Sequence, residues 1–287
     1  MISVAKRQGF FYSPLRYPGG KACMADFIGS VIDSNAHLSD CRIVEPYAGG
    51  AGAAITLLMM ERVSSIVIND LDKAVYSFWK SVLDEPARFA DRIAKTKLTM
   101  AEWHKYRKVY RSASSNTFEL GFSAFYMNRT NRSGIIEGGP IGGAKQKGEW
   151  GIDARFNRDE LIRRIERIAM YKNRIRVTNK DGIKLVQELT RPRQRKTETL
   201  FFMDPPYYVK GSSLYLNYYC SANHEALSSY LNEHCNASWL LTYDDAPQIG
   251  ALYKDRRQFR YSLNYHADKA KTGKEVLVVS DHLTIPV

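Results

Sequence analysis

Asp204-Pro205-Pro206-Tyr207 directly follows the apolar run Leu200 to Met203. Two successive prolines cannot extend a central strand, so they fix a stiff turn that holds the Asp204 carboxylate and the intervening carbonyls at the end of that run. A planar exocyclic amine such as adenine's is a poor nucleophile, because its lone pair is delocalised into the ring. A carboxylate and a carbonyl that accept both of its N–H bonds favour a pyramidal nitrogen and aim the lone pair at an electrophile held in line. Tyr207 would stack on the base, and a target inside a duplex would first be flipped out. This chemistry calls for no metal ion and no covalent intermediate.

A second constellation is Glu45-Pro46-Tyr47-Ala48-Gly49-Gly50-Ala51-Gly52. Glycines here let the backbone turn sharply and approach a ligand closely. The dinucleotide fingerprint G-x-G-x-x-G is only partly met, since Ile55 stands where the third glycine belongs, and a plain tight turn is the alternative reading. Asp70 follows about twenty residues on, where a carboxylate accepts hydrogen bonds from ribose hydroxyls. Together the two favour an adenosine-containing cofactor. Pro18-Gly19-Gly20-Lys21 is not a phosphate loop, because Leu15 and Ala22 occupy the glycine and hydroxyl positions.

These residues need a frame, and the hydrophobic pattern supplies one. Arg42 to Glu45, Ser65 to Asn69, Arg174 to Thr178, Thr199 to Met203 and Ser238 to Thr242 read as short buried strands. Helical stretches lie between them, including Ala53 to Glu61, Lys73 to Leu83 and His224 to His234. Alternating strands and helices predict an α/β fold with a mostly parallel sheet covered on both faces. Gln258 to Tyr265 and Glu275 to Ser280 lack a helix between them and predict an antiparallel pair at the end. The stretch from Pro86 to Lys172 breaks the rhythm and reads as an inserted second domain. Within it, Asn157 is the expected cap of a helix running to Met170.

The 287 residues, 44% of them hydrophobic and 25% charged, suit a globular chain that folds without disulfides. No run is long and apolar enough to cross a membrane, and the first twelve residues lack a signal-peptide core, so a cytoplasmic location is expected. A net charge of +12 makes a polyanion a plausible partner. Cys23, Cys41, Cys220 and Cys235 form no C-x-x-C pair, and Cys220 with His224 lacks a second pair to complete a zinc site. The turn contains no thiol, which disfavours ring-carbon methylation of cytosine. Arg191 to Lys196 is the densest basic run, either a surface loop or a phosphate contact. Tyr215, Tyr218 and Tyr219 line the flipped-base pocket or pack a loop.

In these motifs and their order the chain resembles the Dam-type, alpha-group (DPPY) DNA adenine-N6 methyltransferases. Leu15 to Lys21 resembles their amino-terminal cofactor motif, with Tyr17 and Lys21 as the contacting residues; Glu45 to Gly52 resembles their glycine loop. By the same resemblance Asp70 is the ribose-binding acid, Asp181 the acid near the cofactor adenine, and Asp204 to Tyr207 the catalytic tetrapeptide that also adjoins the cofactor. Trp239 to Asp245 and Lys274 to Ser280 resemble the closing strands. The resemblance implies a Rossmann-like S-adenosylmethionine-dependent methyltransferase domain over 1–85 and 173–287. Over 86–172 it implies a mainly helical target-recognition insert with a hairpin. Asn128, Arg129, Asn131 and Arg132, with Arg155, are the residues it sets against DNA.

The implied reaction is site-specific methyl transfer from S-adenosylmethionine to N6 of a flipped-out adenine in double-stranded DNA. A separately encoded restriction enzyme is a further partner of such proteins, and a monomer or weak dimer is expected. RNA adenine or a protein amide, as other planar amines, are the alternative substrates, and an inactive DNA-binding relative is the alternative of a different class. The resemblance carries no recognition sequence over with it.

Overall fold

The computed structural model describes residues 11–17, 19–112, 116–191, 198–208, 219–266 and 270–286. Positions 192–196 of the basic run, Tyr215 and Tyr218 lie outside them. Among the described residues, seven strands form one sheet: β1 (Arg42–Glu45), β2 (Ser65–Asn69), β3 (Ile175–Thr178), β4 (Thr199–Met203), β5 (Ser238–Asp244), β6 (Arg257–His266) and β7 (Ala270–Val279). Their order is β3-β2-β1-β4-β5-β7-β6, and the first five are parallel. β7 runs antiparallel to both β5 and β6. This is the Rossmann-like α/β architecture expected, with the antiparallel pair longer than the sequence pattern implied.

Consecutive residues of each strand serve opposite faces, as the period of two requires. Ile43, Ile66, Ile68, Leu200 and Phe202 join one core with α1 (Ala25–Asp33), α2 (Gly52–Met59) and α3 (Lys73–Asp84). Val44, Val67, Phe201 and Met203 join the other with α8 (Gly182–Thr190), α9 (Ser221–Glu233) and α10 (Pro247–Leu252). Burial on both sides explains why the strands read as continuous apolar runs rather than as alternating ones. The strand order reverses between β1 and β4, so the loops after these strands diverge and open a crevice at their carboxyl ends. Glu45 ends β1, and Asp204 follows β4.

Between α3 and β3 stand α4 (Pro86–Lys95), α5 (Met100–Arg111), α6 (Thr117–Thr130) and α7 (Arg158–Met170). They share the first core: the Phe78 ring of α3 stacks on Phe125 at 5.9 Å and meets Phe89 edge-on at 5.6 Å. α6 approaches α3 so closely that a Cβ on Gly121 would lie 2.4 Å from the Ser77 carbonyl oxygen, a spacing only glycine allows. Asn157 caps α7 as expected, accepting from the Glu160 N–H at 3.1 Å.

The expected hairpin is present only as a single antiparallel bridge between Asn131 and Pro140. Beyond it, Gly138, Gly139, Gly142, Gly143 and Pro140 offer few side chains to pack and one fewer N–H for a ladder, so the chain folds into successive turns instead. Gln146 holds these turns, donating to the Ile141 and Gly143 carbonyls at 2.7 Å and accepting from the Ile152 N–H at 2.9 Å.

Candidate active site

The stiff turn after β4 places Asp204 at the mouth of the crevice, with its side chain 21% exposed. Its Oδ1 accepts from the Thr242 hydroxyl of β5 at 2.6 Å, and its Oδ2 accepts from Lys21 Nζ at 3.0 Å. Burial raises the Asp204 carboxyl above the ordinary carboxylate range, Lys21 works against that shift, and the negative charge of Glu275 adds to it. Lys21, itself buried, also donates to the Gly19 carbonyl at 2.9 Å and to the Tyr207 hydroxyl at 2.7 Å. Tyr207 in turn donates to Glu275, which takes a second hydrogen bond from Tyr261.

Glu275 is a site residue that the sequence reading missed. It sits on β7 with 1% exposure and lies 3.6 Å from Lys21. A single acid within the apolar run Glu275-Val276-Leu277-Val278-Val279 was the available signal, because a buried carboxylate needs partners. Tyr207 is placed differently from expectation. Its ring is 7% exposed and its hydroxyl is tied to Lys21 and Glu275, so it is a buried anchor rather than an open stacking platform. Pro205 is buried behind the turn, while Pro206 and Asp204 line the cavity.

That cavity has a volume of about 950 Å³ and runs from Asp204 along the loop after β1. Glu45, Pro46, Tyr47, Ala48, Gly49, Gly50 and Gly52 all line it. Gly49 has φ +47°, and a Cβ there would lie 2.7 Å from the Tyr17 ring, so the loop closes against this aromatic side chain. Ala51 also adopts a left-handed φ of 46°, an uncommon strain for a residue with a Cβ and one that the loop's neighbours must hold in place. The helix that follows has no side-chain cap at its own N-cap; Glu45 substitutes, accepting from the Ala54 N–H at 2.6 Å. Burial pushes the Glu45 carboxyl up to about 8. Trp79 of α3 steadies the loop from behind by donating to the Gly49 carbonyl at 2.9 Å.

Tyr17, Lys21, Asp70 and Asp181 reach the same cavity. Asp70 accepts from the Gly49 N–H at 2.8 Å and from the Asp72 N–H at 2.9 Å, and burial pushes it up to about 7, helped by Asp72. Asp181 caps α8, accepting from the Lys184 N–H at 3.0 Å. The crevice thus collects an aromatic ring, a glycine loop pressed against it, and two carboxylates. Carboxylate acceptors beside an aromatic ring suit an adenosine with free ribose hydroxyls.

The residues expected to face DNA divide. Arg132 and Arg155 are exposed, and Arg129 and Arg155 line the cavity. Asn128 and Asn131 are 0% exposed, which corrects their expected place against DNA. Asn128 accepts from the Arg16 N–H at 2.8 Å and donates to the Arg16 and Gly134 carbonyls at 2.7 Å. Asn131 accepts from Trp103 Nε1 at 2.7 Å and donates to the carbonyls of Ile135 and Ile136. Both amides satisfy backbone groups that would otherwise be orphaned, and Asn128 ties the insert to the segment carrying Tyr17.

Tyr219 lines the cavity, its hydroxyl donating to that of Tyr47 at 2.8 Å. His224 pairs with the Tyr243 hydroxyl at 2.8 Å, and Cys220 bonds Asn223 at the start of α9. Among the described residues no helix is long and apolar enough to cross a membrane.

A family model described as D12 class N6 adenine-specific DNA methyltransferase matches residues 17–271. No curated protein matches the chain. Among solved structures, the rRNA methyltransferase aviRa from Streptomyces viridochromogenes is 13% identical, with 92% of this chain and 86% of that one covered and a TM-score of 0.38. A second structure of the same protein is 14% identical, with 90% and 84% covered and a TM-score of 0.38. Scores this low bear on neither fold nor function.

Proposed function

This chain belongs to the D12 class of N6 adenine-specific DNA methyltransferases, and from that premise we propose that it uses S-adenosylmethionine to methylate N6 of an adenine extruded from duplex DNA. The observation that carries the reading is the Asp204 corner: a carboxylate held on both oxygens by Thr242 and Lys21, at the rim of a cavity lined by the glycine loop. Asp70 and Asp181 are the acids for the cofactor's ribose and adenine, and Tyr17 with Gly49 to Gly52 forms its cradle. When bound, the cofactor supplies an electrophilic methyl group.

The chain's own residues do the remaining work. Asp204 and a carbonyl of the Pro205-Pro206 turn accept the two N–H bonds of the target amine, which localises its lone pair. Once the amine nitrogen bonds carbon it must shed a proton, and Asp204, whose proton affinity burial has raised, is placed to take it. Lys21 and Thr242 fix the carboxylate so that no reorganisation is needed during the reaction. Pro206 offers the extruded base an apolar edge within the cavity.

The helical block between Pro86 and Lys172 is the target-recognition region in this reading, with Arg132 and Arg155 as exposed phosphate or base contacts. The net charge of +12 favours the DNA backbone at low salt. The test is single-molecule sequencing of DNA from cells that express the protein, alongside an Asp204→Ala variant. The expected result is N6-methyladenine in one sequence context, lost in the variant. Unmodified DNA with methylated RNA, or equal marks from both proteins, would overturn the reading.

A further inference from the structure

The ladder between β1 and β2 stops at the pair Glu45 and Ile68, and that between β2 and β3 at Asn69 and Thr178. Past these pairs the strands no longer hold one another, yet Pro46, Tyr47, Asp70, Asp181 and Gly182 all line one cavity. The Asn69 side chain, 0% exposed, joins the loops that carry them. Its Nδ2 donates to the Pro46 carbonyl at 2.8 Å and to the Lys180 carbonyl at 2.8 Å. Its Oδ1 accepts from the Thr178 hydroxyl at 2.8 Å and from the Lys180 N–H at 2.9 Å. Only one orientation of the amide matches all four partners, because a flipped one would set N–H against N–H and oxygen against oxygen. The Asn69 carbonyl also accepts from the Ala48 N–H at 2.9 Å, so main chain and side chain of one residue grip the glycine loop.

Two acids sit next to these bonds. Asp70 follows Asn69 and Asp181 follows Lys180. Tyr47 follows Pro46 and presses on Gly182, where a Cβ would lie 2.4 Å from the tyrosine ring. A buried amide with both ends doubly bonded has nothing left to offer a ligand. Its removal leaves the Pro46 and Lys180 groups without these partners and lets the two loops separate.

We infer that Asn69 is a positioning residue for the cofactor's nucleoside: its amide fixes the spacing between the loop after β1 and the turn after β3, and with it the separation of Asp70 and Asp181. The inference rests on the proposed function, in which these two acids take the ribose and the adenine of one methyl donor. Asp204 is held by other residues, Lys21 and Thr242, so losing the amide costs donor affinity and spares the transfer step.

The experiment titrates wild type and Asn69→Ala calorimetrically with S-adenosylmethionine and with 5′-methylthioadenosine, which keeps the nucleoside and lacks the amino-acid arm. Single-turnover transfer is measured alongside, with donor and duplex both saturating. Asn69→Ala should bind both probes more weakly by the same factor, roughly tenfold to a hundredfold, and should transfer within about threefold of the wild-type rate. A folded variant with wild-type affinity for both probes overturns the inference, even where its melting temperature is lower. So does a loss confined to S-adenosylmethionine, or a fall in the saturated rate with both affinities intact. Wild type that binds neither probe would instead sink the proposed function.

A second pair of variants decides the question where Asn69→Ala fails to fold. Thr178→Val removes one of the four bonds and keeps the side chain's shape, so both probes should bind about threefold more weakly. Thr178→Ser keeps the hydroxyl and should bind both like wild type. Unaltered affinities in Thr178→Val, or an equal loss in Thr178→Ser, overturn the positioning role.

Discussion

Lys21, Asp204, Tyr207, Thr242, Tyr261 and Glu275 form a cluster in which donors and acceptors meet, with each carboxylate held by more than one partner. Arg129, in the wall of the same cavity, is buried with Nε unmatched and three further arginines as its electrostatic neighbours. One cluster is finished before any ligand arrives and the other is not. A satisfied buried network fixes geometry, so its members position a reacting group. An unsatisfied buried charge stores a preference for a ligand of the opposite sign. Position and recognition are therefore assigned here to separate residues, which makes the two separable by mutation.

The largest effect expected from breaking the finished cluster away from the reacting group is that of Glu275→Gln. The amide is a weaker acceptor for Tyr207 and Tyr261, and it removes a negative charge that raises the Asp204 carboxyl. The turnover number should fall roughly tenfold to a hundredfold, the price of losing charge-assisted bonds, while cofactor affinity changes little. Because Asp204 must be ionised to accept the amine, and its pKa drops when Glu275 is neutralised, the acidic limb of the pH–rate profile should move to lower pH. Glu275→Asp should restore part of the rate. A uniform loss of folded protein with an unmoved profile would reduce Glu275 to a packing role.

Asp70→Asn should come next, and it sharpens the comparison through pH. Burial raises Asp70 to about 7. A carboxyl raised above its ordinary value of about 4 stabilises the fold at low pH and loses that contribution as pH rises through the folded-state pKa. The ligand-free protein should therefore lose melting temperature between about pH 4 and 8, in part through Asp70, with Glu45, raised to about 8, contributing to the same trend. Cofactor binding has the opposite sign, since ribose hydroxyls donate to the carboxylate and affinity should increase as Asp70 ionises. Asp70→Asn should flatten the pH dependence of cofactor affinity, measured by calorimetry, and a slope that survives would remove Asp70 from the ribose site.

The smallest effect is expected at Asp72, which caps α3 by accepting from the Ala74 N–H at 2.7 Å. Asp72→Ala should cost about 1 kcal/mol of stability in urea unfolding. It should also lower the Asp70 pKa, because Asp72 is among the groups that raise it. A change in stability without that shift would mean that the two acids are not electrically linked.

The strands were legible because each is a short β-branched or apolar run ending in a turn signal. β1, β2 and β4 occupy the stretches Arg42–Glu45, Ser65–Asn69 and Thr199–Met203 that periodicity predicts. Asp204 was legible because two prolines after an apolar strand leave few conformations for the carboxylate before them. Glu275 was legible only as a lone acid in an apolar run; its pairing with Tyr207, 68 positions away, has no local mark. Asn128 and Asn131 misled for a related reason. The resemblance set both against DNA by position alone, yet an amide that bonds several backbone groups at once is stable in the interior. Asn69 went unnoticed because an amide's role is set by what surrounds it, and its partners come from the ends of two other strands.

The central claim is that the Asp204 carboxylate prepares the adenine amine for attack. Its most direct test is single-turnover methyl transfer by Asp204→Ala with S-adenosylmethionine and duplex both saturating, read by mass spectrometry of the nucleosides. The account predicts a rate lowered by about a thousandfold or more, with the cofactor dissociation constant within a few-fold of wild type. A variant that transfers within about tenfold of the wild-type rate would contradict it.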